Sequence, residues 1–94
     1  MPHSQTEITT PQASRYLQQL CKHFAHKLPV TFDPAQGSIA FDIGDVRLAA
    51  DDERLTIALT APDGEQLERL KDVVIRHLER FAFREELAVE WRDS

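Results

Sequence analysis

Residues 13–28 carry the strongest periodic pattern in the chain and constrain its fold most. At about 100° per residue, their apolar side chains fall on one stripe, which predicts an amphipathic helix packed on a core. The stripe consists of Ala13, Leu17, Leu20, Cys21, Phe24 and Leu28. Thr10 is the predicted N-cap, Pro11 the first helical residue, and Pro29 the stop.

Beyond this helix the pattern changes to strict alternation of apolar and polar residues, which indicates strands. Alternating segments occupy residues 30–33, 38–43, 46–50 and 54–61, with turns predicted at 35–37, 44–45 and 51–53. A second amphipathic helix is predicted over 63–81, a closing strand over 87–91 and a short first strand over 7–9. The prediction is a two-layer α+β fold, an antiparallel meander sheet with both helices on one face, in the order β-α-β-β-β-β-α-β.

Length and composition indicate a single domain, residues 1–94, with residues 1–5 disordered. No apolar run approaches the length of a membrane span, so no membrane association is expected. The N-terminal residues lack the basic and apolar regions of a signal peptide, and a single cysteine cannot form an internal disulfide. We therefore expect a cytoplasmic protein.

Charge is unevenly distributed along the chain. Residues 8–32 contain Arg15, Lys22 and Lys27 and no acid, a net +3, and because the whole chain carries −5 the rest carries −8. The acidic total disfavours a nucleic-acid partner. The basic face of the first helix is instead suited to an acidic partner protein or a small anionic ligand, or it is simply solvated.

Two segments carry a resemblance to a known family: YLQQLCKHFAHKLPV at 16–30 and HLERFAFREELAVEW at 77–91. They resemble a family of short bacterial proteins known as domain of unknown function 2218. The family's K-H-x-x-H-K element is matched by Lys22, His23, His26 and Lys27. Its R-F-x-F-R-E element is matched by Arg80, Phe81, Phe83, Arg84 and Glu85. Because relatives are associated with siderophore-interacting ferric reductases, the resemblance implies an accessory role in iron or siderophore handling.

Histidines of the two helices form one candidate site. His23 and His26 are three residues apart, and His77 lies at the edge of the second helix's apolar stripe. If the helices lie side by side, His77 approaches His23, and imidazole suits a transition metal ion. However, the helical angles turn His26 towards solvent and the spacing lacks a recognised zinc pattern, which favours ordinary solvated histidines and no cofactor. Cys21 is expected to be an inert core thiol.

The sheet face turned away from the helices is a second candidate site. Its predicted residues are mostly small: Thr31, Ser38, Ala40, Asp42, Arg47, Ala49, Thr56, Ala58, Thr60, Ala88, Glu90 and Arg92. Alanines on this face allow a second copy or a flat ligand to approach closely. Arg47 and Arg92, with His23 as a further candidate, are suited to a carboxylate or catecholate-like anion. The alternative is a merely solvated face.

The sequence contains none of the common catalytic motifs: no G-x-S-x-G, P-loop, H-E-x-x-H or G-x-G-x-x-G. The charged residues of 80–86 are expected to pair locally. Three hypotheses result: a non-enzymatic binding or accessory module, a histidine metal site, and a small enzyme that uses histidine as acid or base. The sequence favours the first. Homodimerisation through the alanine-rich face or an edge strand is a separate prediction.

Overall fold

A computed structural model describes residues 2–93. Its strands are His3–Thr9 (β1), Val30–Phe32 (β2), Gln36–Phe41 (β3), Gly44–Ala50 (β4), Arg54–Thr60 (β5) and Arg92–Asp93 (β6). The helices are Ala13–Phe24 (α1) and Gly64–Phe81 (α2). The strands form one antiparallel sheet in the order β2-β3-β4-β5-β1-β6, and the predicted α+β fold and element order are confirmed.

Both helices pack on the same face of the sheet, where they enclose one hydrophobic core. α1 lies over β2 to β5, and α2 lies over β4 and β5 beside it. The core consists mainly of Ile8, Leu17, Leu20, Cys21, Ile39, Val46, Leu48, Leu55, Ile57, Leu59, Leu67, Leu70, Val74 and Leu78. These are the stripe residues of the helices and every second residue of the strands, so the predicted periods of about 3.6 and 2 are both present.

The helix ends differ slightly from the prediction. α1 begins at Ala13, and Thr10 accepts the Gln12 N–H through its hydroxyl at 3.1 Å, just before the helix rather than as its N-cap. α1 ends at Phe24, followed by a turn that the Leu28 N–H closes onto the Phe24 carbonyl at 2.9 Å. Asp63 is the N-cap of α2, and its side chain accepts the Gln66 N–H. Within residues 2–93, no helix combines the length and apolarity needed to cross a bilayer.

The β3–β4 hairpin turns at residues 42–43, two residues before the turn predicted at Gly44 and Asp45. Gly44 has a φ of 152°, and a Cβ added there would lie 2.3 Å from the Thr60 carbonyl oxygen. Only glycine fits this close approach to β5, so β4 begins at Gly44. Ile43 therefore lies in the turn, half-buried against the core, and Asp42 lies in the turn rather than on the sheet face.

β1 begins at His3, four residues before the predicted start and inside the segment expected to be disordered. Met1 lies outside the described residues. The sequence predicts too short a strand because two of its inward residues, Ser4 and Thr6, are polar and interrupt the alternation of apolar and polar residues. Each hydroxyl has a partner from the C-terminal segment: Ser4 donates to the Arg92 carbonyl at 3.2 Å, and Thr6 accepts the Glu90 N–H at 3.3 Å.

The C-terminal segment also differs from the strand predicted over residues 87–91. Residues 87–91 alternate between half-buried and exposed, as a strand would, but form no ladder. Backbone pairing with β1 is confined to β6, because the Glu90 N–H is bonded to a side chain instead of a backbone carbonyl. Ala88 and Glu90, predicted on the outward sheet face, are exposed but lie outside the sheet.

Candidate functional site

The sheet face opposite the helices is left uncovered by the described part of the chain. Cross-strand pairing aligns one row of outward residues over all six strands: Thr31, Ser38, Arg47, Ala58, Gln5 and Arg92. The flanking rows add Ala40, Asp45, Thr60 and His3 on one side, and Gln36, Ala49, Thr56 and Glu7 on the other. We call this surface the open face. Half of its residues are alanine, serine or threonine, and β1 contributes a strand of polar residues that sequence patterns did not place there.

Arg47 and Arg92 lie in the same row of the open face, with Ala58 and Gln5 between them. Three inter-strand spacings separate their backbones, about 14 Å. Among residues 2–93, neither guanidinium has an ion pair or a hydrogen-bond partner, whereas Arg54 at the end of β5 pairs with Glu7 at 3.4 Å. The two arginines are therefore available to an incoming anion, at opposite ends of a ligand rather than on one carboxylate.

A shallow concavity of about 620 Å³ occupies one half of the open face. Its floor is formed by small residues of the central strands, Ser38, Ala49, Thr56 and Ala58. Arg47 lines this concavity, as does Thr31 at the β2 edge. Asp33 is the acidic residue of the lining. The concavity thus offers a flat floor of small side chains and one unpaired guanidinium.

His23, grouped with the two arginines as a candidate ligand-binding residue, does not share their site. It belongs to α1, in the helical layer, whereas Arg47 points from the opposite face of the sheet. One small ligand cannot contact both, because the sheet lies between them. The three predicted ligand-binding residues therefore lie on two separate surfaces.

His23 and His77 meet across the groove between the two helices. Their ring centroids are 4.8 Å apart with an interplanar angle of 46°, and His23 also lies 6.1 Å from the Phe81 ring. His77 Nδ1 lies 2.7 Å from the Val73 carbonyl oxygen. Because a carbonyl only accepts, Nδ1 carries the proton, and in the neutral ring the Nε2 lone pair is free.

His26, the third histidine of the predicted metal site, is exposed and belongs to none of these ring contacts. Within the described range 2–93, no group of three or more His, Cys, Asp or Glu side chains is arranged to hold a metal ion. The structure therefore brings together two of the three proposed ligands. Metal binding by His23, His26 and His77 stays a prediction.

Positive charge surrounds His23. Partial desolvation against the neighbouring rings lowers the pKa of His23, although part of the side chain is exposed. The neighbouring charges of His77, Arg80, His26 and Lys27 lower it further. The charges that act on this ring are all positive, so its neutral form is favoured near neutral pH.

Glu85 makes long-range hydrogen bonds that the sequence did not predict. It was expected to pair locally, but its carboxylate accepts hydrogen bonds from the Thr10 hydroxyl at 3.0 Å and from the Tyr16 phenol. Burial and the adjacent carboxylate raise the pKa of Tyr16 to about 12. A phenol held in its neutral form is the opposite of an activated base or nucleophile. This group instead ties the segment after α2 to the start of α1.

Cys21 is fully buried, as its position in the helical stripe predicted. Burial raises the pKa of its thiol to about 11, which keeps the thiol protonated and unreactive at neutral pH. A Cβ added at Gly37 of β3 would lie 2.7 Å from the sulfur. Glycine at that position therefore makes the room that Cys21 occupies.

Comparison with known proteins shows the family and supports the fold. A family model described as an uncharacterized protein conserved in bacteria, DUF2218, matches residues 5–92. The chain is also similar to the protein in the NMR structure of PA4090 from Pseudomonas aeruginosa, with 35% sequence identity and a TM-score of 0.83, over 98% of this chain and 96% of that one. No curated protein matches. The chain therefore belongs to this uncharacterised bacterial family, DUF2218, as its two sequence elements indicated.

Proposed function

We propose that this protein is a non-enzymatic binding module of the bacterial cytoplasm that takes a planar anionic ligand on its open face. The observation that supports this most is the state of Arg47 and Arg92. Both stand in one cross-strand row, and neither has an ion-pair partner among residues 2–93. Guanidiniums bind planar carboxylate-type groups bidentately, and such bonds are stronger than neutral ones.

The open face fits a flat molecule better than a bulky one. Ala49 and Ala58 present only methyl groups, so an aromatic ring can lie directly on the sheet. Its acidic group would then meet Arg47, and a ligand extended by about 14 Å would also meet Arg92. Asp33 in the lining and Asp45 in the flanking row oppose a uniformly charged polyanion. The preferred ligand is therefore planar, with its negative charge confined to its ends.

The family resemblance supplies the biological context of the proposal, iron or siderophore handling. Catecholates and carboxylates are planar, anionic, iron-chelating groups, and they match what the open face can bind. An accessory role beside a ferric reductase requires binding without chemistry. That requirement agrees with a face that carries guanidiniums and methyl groups.

Calorimetric titration with 2,3-dihydroxybenzoate and with its ferric complex tests this proposal. We expect saturable binding that Arg47→Ala weakens by about tenfold or more, because a charge-assisted hydrogen-bonded pair contributes about 1.5–3 kcal/mol. Arg92→Ala should weaken the larger ferric complex more than the single ring. Arg69→Ala is the matched control, since Arg69 lies on α2 and pairs with Glu65 at 3.3 Å. Equal affinity in all variants, or no saturable binding, would contradict the proposal.

A second copy of the chain is the competing occupant of the open face. The edge strands β2 and β6 have only three and two residues, so edge-to-edge pairing has few backbone groups to use. A homodimer would instead have to form face to face. Sedimentation velocity distinguishes the two: a dimer that Ala58→Glu dissociates would assign the open face to self-association and contradict ligand binding there.

A transition metal at His23, His26 and His77 is the second candidate function. The contact between His23 and His77 and the Nε2 lone pair of His77 favour it. The positive charges of Lys27 and Arg80 around His23 oppose a dication, which places it behind the first proposal. Native mass spectrometry with an elemental scan of untagged protein tests it. Near-stoichiometric metal that His23→Ala removes would support it, and a metal-free mass would contradict it.

A further inference from the structure

A second hollow of about 550 Å³ lies between the end of α2 and the chain that follows it. The chain turns over residues 83–85, where the Glu85 N–H donates to the Ala82 carbonyl at 3.0 Å. Glu86, Leu87 and Val89 then line the hollow together with the last turns of α2. We call this hollow the α2 cleft. Its lining residues and those of the open face are different sets.

The helical wall of the α2 cleft follows from the spacing of residues along α2. Ile75, Leu78 and Ala82 are three and four positions apart, which places them on one side of the helix. Leu78 is fully buried and Ala82 is 3% exposed, so they form the floor, whereas Ile75 is half-buried. Leu87 and Val89 add two half-buried apolar side chains. The interior of the cleft is therefore apolar.

Phe83 lies at the mouth of the α2 cleft and is 75% exposed, the most exposed large hydrophobic side chain of residues 2–93. The Arg84 guanidinium carbon lies 5.4 Å from the centroid of its ring, a cation–π contact that leaves most of the ring uncovered. An exposed aromatic ring beside an apolar depression is typical of a protein interface. A molecule that fits wholly inside the cleft would leave this ring in water, so these observations favour a larger partner.

The rim of the α2 cleft is acidic. Glu79, Glu85 and Glu86 belong to its lining, and in the described chain no lysine or arginine does. Glu85 accepts hydrogen bonds from the hydroxyls of Thr10 and Tyr16, which are neutral groups and do not cancel its charge. Within residues 2–93, Glu79 and Glu86 have no ion-pair partner. The rim therefore offers two unpaired carboxylates beside an apolar interior.

Glu79 lacks an ion pair because of the residue one turn further along the chain. Earlier in α2, Asp72 pairs with Arg76 four residues on, at 3.1 Å. Four residues after Glu79 the sequence has Phe83 instead of a cation. An exposed aromatic ring thus takes the place of the counter-charge, and both groups face the same cleft.

The charge around the α2 cleft decides between a second copy of this chain and a different partner. Residues 77–90 contain four glutamates and two arginines, a net −2. A second copy would bring an equal acidic rim against the first, and like charges oppose such an interface. Phe32, the other exposed large hydrophobic residue of 2–93, is followed by Asp33 and so brings no cation either. The charge therefore favours a basic partner over self-association.

We propose that the α2 cleft docks a basic segment of a partner protein, at a site separate from the open face. The segment inserts one bulky apolar side chain between Ile75, Phe83 and Val89. Lysine or arginine residues that flank this side chain meet Glu79 and Glu86. The apolar side chain supplies most of the affinity because it is fully desolvated in the cleft. The flanking cations set the orientation and discriminate against acidic segments.

Fluorescence anisotropy of the full chain with three labelled peptides tests this proposal. The first is an amphipathic helical peptide with leucine on one face and lysine on both flanks. The second has glutamate in place of each lysine, and the third has alanine in place of each leucine. We expect the first to bind saturably and about tenfold or more tightly than either counterpart, because only it has both the anchor and the cations. Added sodium chloride should weaken its binding.

Variants of exposed residues locate the binding. Phe83→Ala should weaken binding of the lysine peptide by about tenfold or more, because aromatic residues carry much of the energy of an interface. Glu79→Gln with Glu86→Gln should weaken it by about fivefold and reduce its salt dependence, since exposed ion pairs contribute modestly. Glu65→Gln with Glu68→Gln, the same charge change earlier on α2, is the matched control and should retain binding.

Three results would overturn the proposal. The first is the absence of saturable binding of the lysine peptide, or equal binding of its glutamate counterpart. The second is binding that survives both Phe83→Ala and the variant carrying Glu79→Gln with Glu86→Gln. The third is a dimer in sedimentation velocity that Phe83→Ala dissociates, which would assign the cleft to a second copy. Arg47→Ala should leave peptide binding unchanged, so failure here is distinguishable from failure of ligand binding at the open face.

Discussion

The two faces of the sheet are built from the same strands and differ in almost every other respect. Along β4 and β5 the inward residues are Val46, Leu48, Leu55, Ile57 and Leu59, each at most 3% exposed. The residue that follows each of them along the strand is an arginine, an alanine or a threonine, and it points to the open face. The covered face is fixed by the need to bury apolar area, and a slip of one residue would reverse it. The open face is under no such constraint, so its composition can serve binding.

The largest expected effect comes from a pair of neighbouring positions on opposite faces. Ile57→Ala should lower the free energy of unfolding by about 2–5 kcal/mol, because it leaves a cavity in the core. Thr56→Ala should lower it by about 1 kcal/mol or less, since its outward side chain packs against no helix. Urea denaturation of both variants measures the contrast. Similar losses for the two would mean that something also covers the open face.

A smaller loss of stability is expected at Gly37, where β3 packs closely against α1 on the covered face. Gly37→Ala should lower the free energy of unfolding by about 1–3 kcal/mol, because the new Cβ would lie 2.7 Å from the Cys21 sulfur. Cys21→Ala removes that sulfur, so the double variant should lose less than the sum of the two single losses. A double-mutant cycle measures this coupling. Strictly additive losses would show that Gly37 is required for another reason.

The smallest expected effect concerns Tyr16, a polar group within the covered layer. Tyr16 is the only tyrosine of the chain, and burial beside Glu85 raises its pKa from an ordinary value near 10 to about 12. A raised pKa stabilises the fold below pH 10, and this stability is lost as the pH rises through about 12. Tyrosinate absorbance of the folded protein should therefore show almost no ionisation near pH 10.

Glu85→Gln is the companion variant for this titration. It removes the negative charge while burial remains, so the pKa of Tyr16 should fall but stay above its ordinary value. Glu86→Gln, next along the chain and exposed, is the matched control. A wild-type midpoint near 10 in the folded protein would contradict the buried phenol–carboxylate pair.

Elements with an apolar face could be predicted from the sequence. The stripes of α1 and α2 and the alternation in β3 to β5 repeat at the periods that burial requires, so their order and their core residues followed. The predicted first strand was too short because Ser4 and Thr6 point inward although they are polar. Their partners are residues more than eighty positions away. Hydrophobicity carries no signal for such a strand.

The candidate sites were harder to predict from the sequence, because each depends on contacts between distant segments. Outward alternation placed Arg47 on the open face, but its row with Arg92 exists only because β1 lies between β5 and β6. Helical spacing suggested that His77 could approach His23, and it correctly turned His26 towards solvent. Glu85 was missed because its partners, Thr10 and Tyr16, lie about seventy residues earlier in the chain.

Amide chemical-shift mapping during titration with 2,3-dihydroxybenzoate tests the central claim most directly. If the open face is the binding surface, the shifts will be largest on β3, β4 and β5 around Ser38, Arg47 and Ala58, and the amides around His23 and His77 will not move. Arg47→Ala should remove these shifts without changing the rest of the spectrum. Shifts confined to the ends of α1 and α2, or no saturable shift on the sheet, would contradict the assignment of ligand binding to the open face.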